Sequence, residues 1–162
     1  MSEPDSPRRG HRWGKRLGWL RRSYANAAEM IRLGRLGAPH RTQYEVVASD
    51  RVYSLRRYQG IEREEGEGLQ TPLLLIPPLM VTSEIYDMSP DVSAVSYLLG
   101  QGIDVWLADF GVPETVEGGM RRTLDDHVRA VSDAVDRVAD ATGREVHLAG
   151  YSQGGMFCYQ AA

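Results

Sequence analysis

The stretch HLAGYSQGGMF, residues 147 to 157, decides the fold of this 162-residue chain. A short apolar run leads into the sequence G-Y-S-Q-G around Ser152, and a segment with helical character follows. The pattern Gly-x-Ser-x-Gly is short enough to occur by chance. Between a predicted strand and a predicted helix, however, it is typical of a nucleophile elbow. We therefore predict that Ser152 is a nucleophile presented on a strained turn at the end of a strand.

The two glycines of this pattern have a steric role in such a turn. Gly150 and Gly154 would allow the strand and the following helix to approach so closely that no side chain fits between them. The helix would also place its positive end beside Ser152. The alternative interpretation is a glycine-rich connection between a strand and a helix, with a serine that has no chemical role.

Five segments upstream and around the elbow predict the strands of an α/β sheet. YEVVAS and RVYSLRRY, residues 44–49 and 51–58, alternate in polarity and predict a hairpin that turns at Ser49-Asp50. TPLLLIPP and IDVWLADF, residues 71–78 and 103–110, are continuously apolar, as in strands buried on both faces. EVHLAG, residues 145–150, is the last predicted strand.

Two helices are predicted between these strands. The first opens at Ser89-Pro90-Asp91 and ends at Gly100 or Gly102, since proline is tolerated in a first helical turn. The second begins at Thr123 with a side-chain cap and stops at Gly143. Their apolar positions are Val92, Val95 and Leu99 in the first and Leu124, Val128, Val131, Val135 and Val138 in the second. Strands that alternate with helices indicate an α/β fold with a parallel centre.

Charge divides the chain into a leader, residues 1–41, and a domain, residues 42–162. The leader carries ten Lys/Arg against three Asp/Glu, whereas the remainder carries nine against nineteen. Its apolar residues recur at helical spacing and predict a basic amphipathic helix; they are Trp13, Leu17, Leu20, Tyr24, Ala27 and Ile31. Through residues 12–35 such a helix could bind an anionic membrane surface. Alternatively, the helix docks its apolar face on its own domain.

Composition limits the classes of function. A hydrophobic fraction of 42% and a charged fraction of 25% are ordinary for a soluble globular protein. The single cysteine, Cys158, cannot form an internal disulfide, so we expect a cytoplasmic protein, with peripheral membrane attachment as an alternative. The sequence has no metal-ligand spacing, phosphate loop or aromatic-basic nucleic-acid surface. We therefore expect no metal, no cofactor and no nucleic-acid partner.

An oxyanion formed beside Ser152 would need two preorganised N–H donors. One should be the backbone N–H of Gln153, directly after the nucleophile. The other should come from the loop after the third strand, P-P-L-M, residues 77–80. Since prolines have no N–H, the donor there is predicted to be Leu79 or Met80.

The order of these features resembles the poly(3-hydroxyalkanoate) synthase branch of the α/β-hydrolases. The stretch PLLLIPPLMVTSEIYDMSPDVSAVSYLLGQGIDVWLADFG, residues 72–111, carries most of the resemblance, which spans residues 44–162. P-P-L-M and the Gln after Ser152 also resemble acid lipases. GYSQGGMFCYQAA, residues 150–162, is similar to the hydrolase head of two-headed lipase/long-chain acyl-CoA synthetase polypeptides.

This resemblance implies the N-terminal half of an α/β-hydrolase sheet, strands 1 to 5 with their intervening helices, in a full strand order of 1-2-4-3-5-6-7-8. It favours Leu79 over Met80 as the oxyanion donor that accompanies Gln153. The polymerases carry Cys at the elbow, whereas this chain has Ser152, which favours hydrolysis of an acyl ester or acyl-CoA thioester over polymerisation. Cys158 lies on the following helix and is expected to be a small core residue.

The resemblance also places the triad acid and histidine downstream of the elbow, where this chain has only ten residues. Of the four histidines, His147 lies on the strand that leads to Ser152, and His11 and His40 lie in the leader. His127 falls in the first turn of a helix and is a weak candidate for the base. Without a base, serine is a weak nucleophile. We therefore expect the chain alone to be inactive and to need a complementary C-terminal half.

Three hypotheses of function follow. The first is a truncated serine hydrolase of acyl-lipid metabolism, of the lipase/esterase or acyl-CoA thioesterase type. The second is an acyltransferase like the polyhydroxyalkanoate synthases, or a fragment of a fused long-chain acyl-CoA synthetase. The third is a non-catalytic membrane-surface or scaffold module that keeps an elbow by descent.

Overall fold

A computed structural model of the chain describes residues 42–60, 71–79 and 81–162, together with Tyr24, Ala27, Ala28 and Ile31. The chain separates into two units, Met1–Ala38 and Pro39–Ala162. In the first unit, the four described residues are helical and exposed. The remainder of the predicted amphipathic helix lies outside the described residues.

The second unit contains one mixed five-stranded sheet. Its strands are β1 (Tyr44–Ser49), β2 (Ser54–Tyr58), β3 (Pro72–Ile76), β4 (Asp104–Asp109) and β5 (His147–Gly150). They lie in the order β1-β2-β4-β3-β5. The first two strands are antiparallel to each other, and β2 is antiparallel to β4. At the centre, β3 is parallel to both β4 and β5.

This strand order confirms the predicted α/β fold. The sequence 1-2-4-3-5 is the order expected for the first five strands of an α/β-hydrolase sheet, so the chain adopts a partial α/β-hydrolase fold. Because β3, β4 and β5 are parallel, their carboxyl ends meet at one edge of the sheet. The loop after Ile76, the loop after Asp109 and the turn after Gly150 therefore converge there.

Helices cover both faces of the sheet. They are α1 (Ala94–Gly100), α2 (Leu124–Thr142) and α3 (Gln153–Ala161). Side chains of β3 alternate between the two layers, as its pleat requires. Leu74 and Ile76 pack with α2 and α3, and Leu75 packs with Val95 of α1. Trp106 and Leu107 divide in the same way on β4. No helix in the described ranges is long and apolar enough to cross a membrane.

The predicted start of the first helix was wrong. Pro90 and Asp91 form the turn of a small hairpin, Asp87–Ser89 with Val92–Ser93, and the helix begins only at Ala94. Ser93 caps α1, because its Oγ accepts the Ser96 N–H at 2.9 Å. The same hydroxyl donates to the buried Asp87 carboxylate at 2.6 Å. Ser-Pro-Asp suits a turn as well as a helix start, and these contacts select the turn.

The second helix begins and ends as predicted, with one correction on its face. Thr123 and Asp126 form a reciprocal capping box, and Gly143 ends the helix with a φ of 65°. Leu124, however, is 59% exposed and does not belong to the buried stripe. The helix instead buries His127, Ala130, Val131, Ala134 and Val138. The buried stripe begins at His127, after the first turn, where Thr123 and Asp126 form the cap.

The first hairpin has a longer turn than predicted. β1 ends at Ser49, and β2 begins at Ser54. Asp50 donates its N–H to the Tyr53 carbonyl oxygen at 2.8 Å and so closes the turn. Val52 and Tyr53 are both buried, so the alternation of buried and exposed residues does not extend through this turn.

Candidate active site

Ser152 occupies the turn between β5 and α3 in a strained backbone conformation. Its φ is 54° and its ψ is −118°, and it is the only non-glycine residue in the described part of the chain with a positive φ. Such a conformation costs about 1–3 kcal/mol and persists only where the surrounding structure enforces it. The Ser152 side chain is exposed at the sheet edge where the three loops converge. This arrangement leaves Ser152 accessible at that edge of the sheet.

The glycines beside Ser152 permit this turn. A Cβ atom at Gly150 would lie 2.3 Å from the carbonyl carbon of Gly154 and from the backbone nitrogen of Gly155. A Cβ atom at Gly154 would lie 2.1 Å from the Ile76 carbonyl oxygen. In both cases the obstacle is backbone, which cannot rotate away. The elbow therefore packs directly against the end of β3, where the P-P-L-M loop begins.

The two predicted oxyanion donors lie on the two segments that meet at this point. The Leu79 N–H faces the Gln153 side chain, whose Oε1 accepts it at 3.3 Å. The backbone N–H of Gln153 begins α3 and has no acceptor among the described residues. Met80, the less favoured donor, lies outside those residues. A hydrogen bond thus joins Leu79 to Gln153, the residue that directly follows Ser152.

A residue that the sequence did not single out connects the same two segments. The Tyr86 hydroxyl donates to the Ile76 carbonyl oxygen at 2.8 Å and accepts the Tyr151 N–H at 2.9 Å. Burial raises the pKa of this phenol to about 12, although the bond from the Tyr151 N–H opposes that rise. The only sequence signal was a hydroxyl-bearing aromatic residue in the loop after the third strand, and that signal is weak.

The histidines do not supply a partner for Ser152 within the described residues. His127 is buried, and its Nδ1 lies 2.7 Å from the Thr123 carbonyl oxygen. Because a carbonyl oxygen only accepts, Nδ1 carries the hydrogen in this contact. The ring stacks on Phe157 and meets the edge of Phe110. His147 is exposed on β5, and His11 and His40 lie outside the described residues.

Cys158 is a half-buried residue of α3 that packs against the main core. Burial raises the pKa of its thiol, so the neutral form predominates at physiological pH. A neutral thiol is a poor nucleophile. These properties agree with the interpretation of Cys158 as a small core residue rather than a reactive one.

A cleft opens beside the loop that follows β3. Its volume is about 370 Å³, and Leu79 and His127 lie in its wall. Most of its other walls are apolar, with Val81, Val112 and Met120 among them. A second cavity of about 210 Å³ adjoins it through shared lining residues and contains the more polar Arg56 and Asp109. The guanidinium of Arg56 is paired with Asp109 there. The side chains of Glu84 and Asp87 also line this cavity.

Curated relatives of the chain are polymerases of one kind. Over 117 residues it is 35% identical to the poly(3-hydroxyalkanoate) polymerase subunit PhaC of Haloferax mediterranei. This match covers 71% of this chain and 23% of that protein. The subunit PhaC of Allochromatium vinosum is 35% identical over 117 residues, 70% of this chain and 32% of that protein. The subunit PhaC of Synechocystis is 30% identical over 122 residues, 73% and 31% of the two chains.

The chain therefore spans between about a quarter and a third of the length of these relatives. No protein-family model matches it. The similarity agrees with the resemblance to the polyhydroxyalkanoate synthase branch.

Proposed function

We propose that this chain carries the nucleophile and oxyanion half of an acyl-transfer site of the polyhydroxyalkanoate synthase type. Ser152 Oγ attacks the carbonyl carbon of an acyl-CoA thioester, and the bond from that carbon to sulfur breaks. An acyl ester on Ser152 forms, and the CoA thiolate leaves. The backbone N–H groups of Leu79 and Gln153 hold the oxyanion of the tetrahedral intermediate.

The observation that carries this proposal is the backbone of Ser152. A serine at a φ of 54° and a ψ of −118° is strained, and strain of this kind concentrates at functional sites. The turn also brings together the N–H of Leu79 and the N–H of Gln153, which has no acceptor among the described residues. The similarity to three polymerase subunits supports acyl transfer as the chemistry.

For substrate binding to use the Leu79 N–H, the Gln153 side chain must release it. The hydrogen bond between them is long, at 3.3 Å, and a developing oxyanion accepts more strongly than a neutral amide oxygen. The apolar cleft beside Leu79 would receive the acyl chain. Because Leu79, one proposed donor of the oxyanion hole, lines this cleft, an acyl chain that extends from the thioester carbonyl would enter it.

Ser152 needs a base to remove its proton, and the family resemblance places that histidine and its carboxylate downstream of the elbow. None of the described residues forms a hydrogen bond to the Ser152 hydroxyl. Because Ser152 has no base among the described residues, we expect residues 1–162 alone to be inactive. Incubation of residues 1–162 with a fluorophosphonate probe should give no labelling above background.

Hydrolysis is the second candidate, and it differs only in the acceptor. Water would attack the acyl ester on Ser152 and release a free acid, whereas a hydroxyl group of another acyl unit would extend a polyester. Serine in place of the polymerases' cysteine favours hydrolysis, because a serine ester is the intermediate of lipases and esterases. The similarity to curated polymerases favours transfer to a hydroxyl group.

The test uses the natural-length gene product that contains residues 1–162, with acyl-CoA thioesters of several chain lengths. Release of CoA should fall to background in the Ser152→Ala variant and remain unchanged in a Cys158→Ala control. Free acid as the product would indicate hydrolysis, and ester oligomers would indicate polymerisation. Full CoA release by Ser152→Ala would remove Ser152 from the mechanism, whereas no CoA release by the unsubstituted protein would leave the scaffold hypothesis.

A further inference from the structure

We propose that Tyr86 is a positioning residue that holds the nucleophile elbow and the oxyanion loop in register. This inference rests on the proposed acyl-transfer function and adds a residue to its machinery. Tyr86 touches neither a reacting atom nor the oxyanion in this arrangement. It acts through the two backbone segments that carry those groups.

One oxygen atom joins both segments. The Tyr86 hydroxyl donates to the carbonyl of Ile76, the last residue of β3, at 2.8 Å. It accepts the N–H of Tyr151, the residue directly before Ser152, at 2.9 Å. That N–H also lies 3.2 Å from the Ile76 carbonyl oxygen. The three groups form a closed triangle, which fixes the distance between the two segments better than a single hydrogen bond does.

The triangle lies close to both oxyanion donors along the chain. Only Pro77 and Pro78 separate Ile76 from Leu79, and proline restricts the backbone between them. On the other side, Tyr151 is followed directly by Ser152 and Gln153. A shift of Ile76 relative to Tyr151 would therefore change the separation of the two N–H donors and the nucleophile.

Close packing at the same point leaves no slack. The Ile76 carbonyl oxygen lies only 2.1 Å from the position that a Cβ atom on Gly154 would take. This oxygen is therefore pressed against the start of α3 on one side and held by the Tyr86 hydroxyl on another. Oxyanion stabilisation depends on preorganised donors. Small displacements of these backbone segments would therefore reduce stabilisation of the transition state more than they reduce substrate binding.

Hydrogen bonds to the neighbouring residue hold the backbone of Tyr86 in place. The residue that follows it, Asp87, is buried and accepts hydrogen bonds from the Thr42 N–H at 2.7 Å and from Ser93 Oγ at 2.6 Å. The Thr42 hydroxyl adds a third bond at 3.1 Å. These contacts tie the start of the domain and the cap of α1 to the backbone of Tyr86. The phenol ring is thus supported by a rigid element, as a positioning residue requires.

The protonation state suits this role. The hydroxyl must keep its proton in order to donate to Ile76, and burial raises the pKa of Tyr86 to about 12. The phenol therefore stays neutral throughout the physiological pH range. Asp87 is close in sequence, but its carboxylate bonds to Thr42 and Ser93 rather than to the phenol.

Tyr86→Phe in the natural-length gene product tests the inference, because it removes the hydroxyl and keeps the ring. Tyr97→Phe is the matched control, since Tyr97 lies on α1 and is 67% exposed. We expect kcat for CoA release to fall roughly 10-fold or more with KM nearly unchanged, as for loss of an interaction that acts in the transition state. Hydrogen–deuterium exchange of peptides that contain Tyr151 should also be roughly 10-fold faster. Tyr97→Phe should change neither quantity.

The outcomes separate this inference from the proposed function. Unchanged exchange around Tyr151 in Tyr86→Phe would overturn the positioning role. Faster exchange with an unchanged kcat would overturn it as well, because the hydrogen bonds of the Tyr86 hydroxyl would then have no effect on catalysis. A rise in KM alone would indicate a role in substrate binding and would also contradict it. The proposed function fails separately if Ser152→Ala keeps full turnover, whatever the exchange of Tyr86→Phe.

Discussion

At the scale of single residues, Ser152 and its glycines were accessible to sequence reasoning because local sterics determine them. A strand, a tight turn and a helix in immediate succession need glycine on both sides of the turn residue. The five consecutive residues 150–154 show this requirement directly in the sequence. Tyr86 was not accessible in this way. Its partner Tyr151 lies 65 residues away in sequence, and only the parallel arrangement of β3 and β5 brings them together.

The steric role of Gly154 gives a prediction at this scale. Gly154→Ala should lower the free energy of unfolding by about 2–3 kcal/mol, because the new methyl group would collide with the Ile76 backbone. Chemical denaturation of the natural-length gene product measures the change. Gly100→Ala is the control, since a Cβ atom there meets nothing within 4 Å. Equal stability of the two variants would show that the elbow can open to admit a side chain.

At the scale of elements, the central strands were predicted more accurately than the start of α1. Short continuous apolar runs such as L-L-L-I and V-W-L-A are typical of strands buried between two layers. Their shortness favours strands over helices. The start of α1 depended on contacts of Asp87 with Thr42 and Ser93, which the local sequence does not reveal. The misplaced Leu124 has a similar origin, because the capping box rather than the apolar stripe sets the first turn of α2.

The basic leader gives the prediction at the scale of an element. Tyr24 and Ile31 lie at helical positions and are 81% and 87% exposed, so two members of its apolar stripe are available to a surface. Residues 1–41 fused to a soluble reporter should sediment with anionic vesicles at low salt and be released at high salt. Neutral vesicles are the control. Equal sedimentation with both kinds of vesicle at low salt would exclude an electrostatic contribution.

At the scale of the whole molecule, the sheet has an open side next to the elbow. Among the described residues, β5 pairs only with β3. Beyond it, Tyr151, Met156 and Tyr159 are 55%, 62% and 88% exposed. An unpaired strand edge beside exposed apolar side chains is prone to associate with other chains. The sequence predicted this architecture through the alternation of its strands and helices.

The open side predicts the behaviour of the isolated chain. Residues 1–162 expressed alone should aggregate, form a molten state, or depend on a complementary partner. Size-exclusion chromatography and thermal unfolding measure this directly. A compact monomer with a single cooperative transition would show that the five-stranded sheet is self-sufficient and would contradict the need for a complementary segment.

The central claim is that Ser152 carries the acyl group, and trapping the acyl-enzyme tests it most directly. The natural-length gene product would be mixed with an acyl-CoA thioester, quenched in acid and digested after Arg144, so that Ser152 and Cys158 fall on the same side of the cut. Fragmentation by mass spectrometry then assigns the added acyl mass to one side chain. We predict that it resides on Ser152 and is absent from Ser152→Ala. An acyl group on Cys158, or an active enzyme with no acyl group on Ser152, would contradict the account.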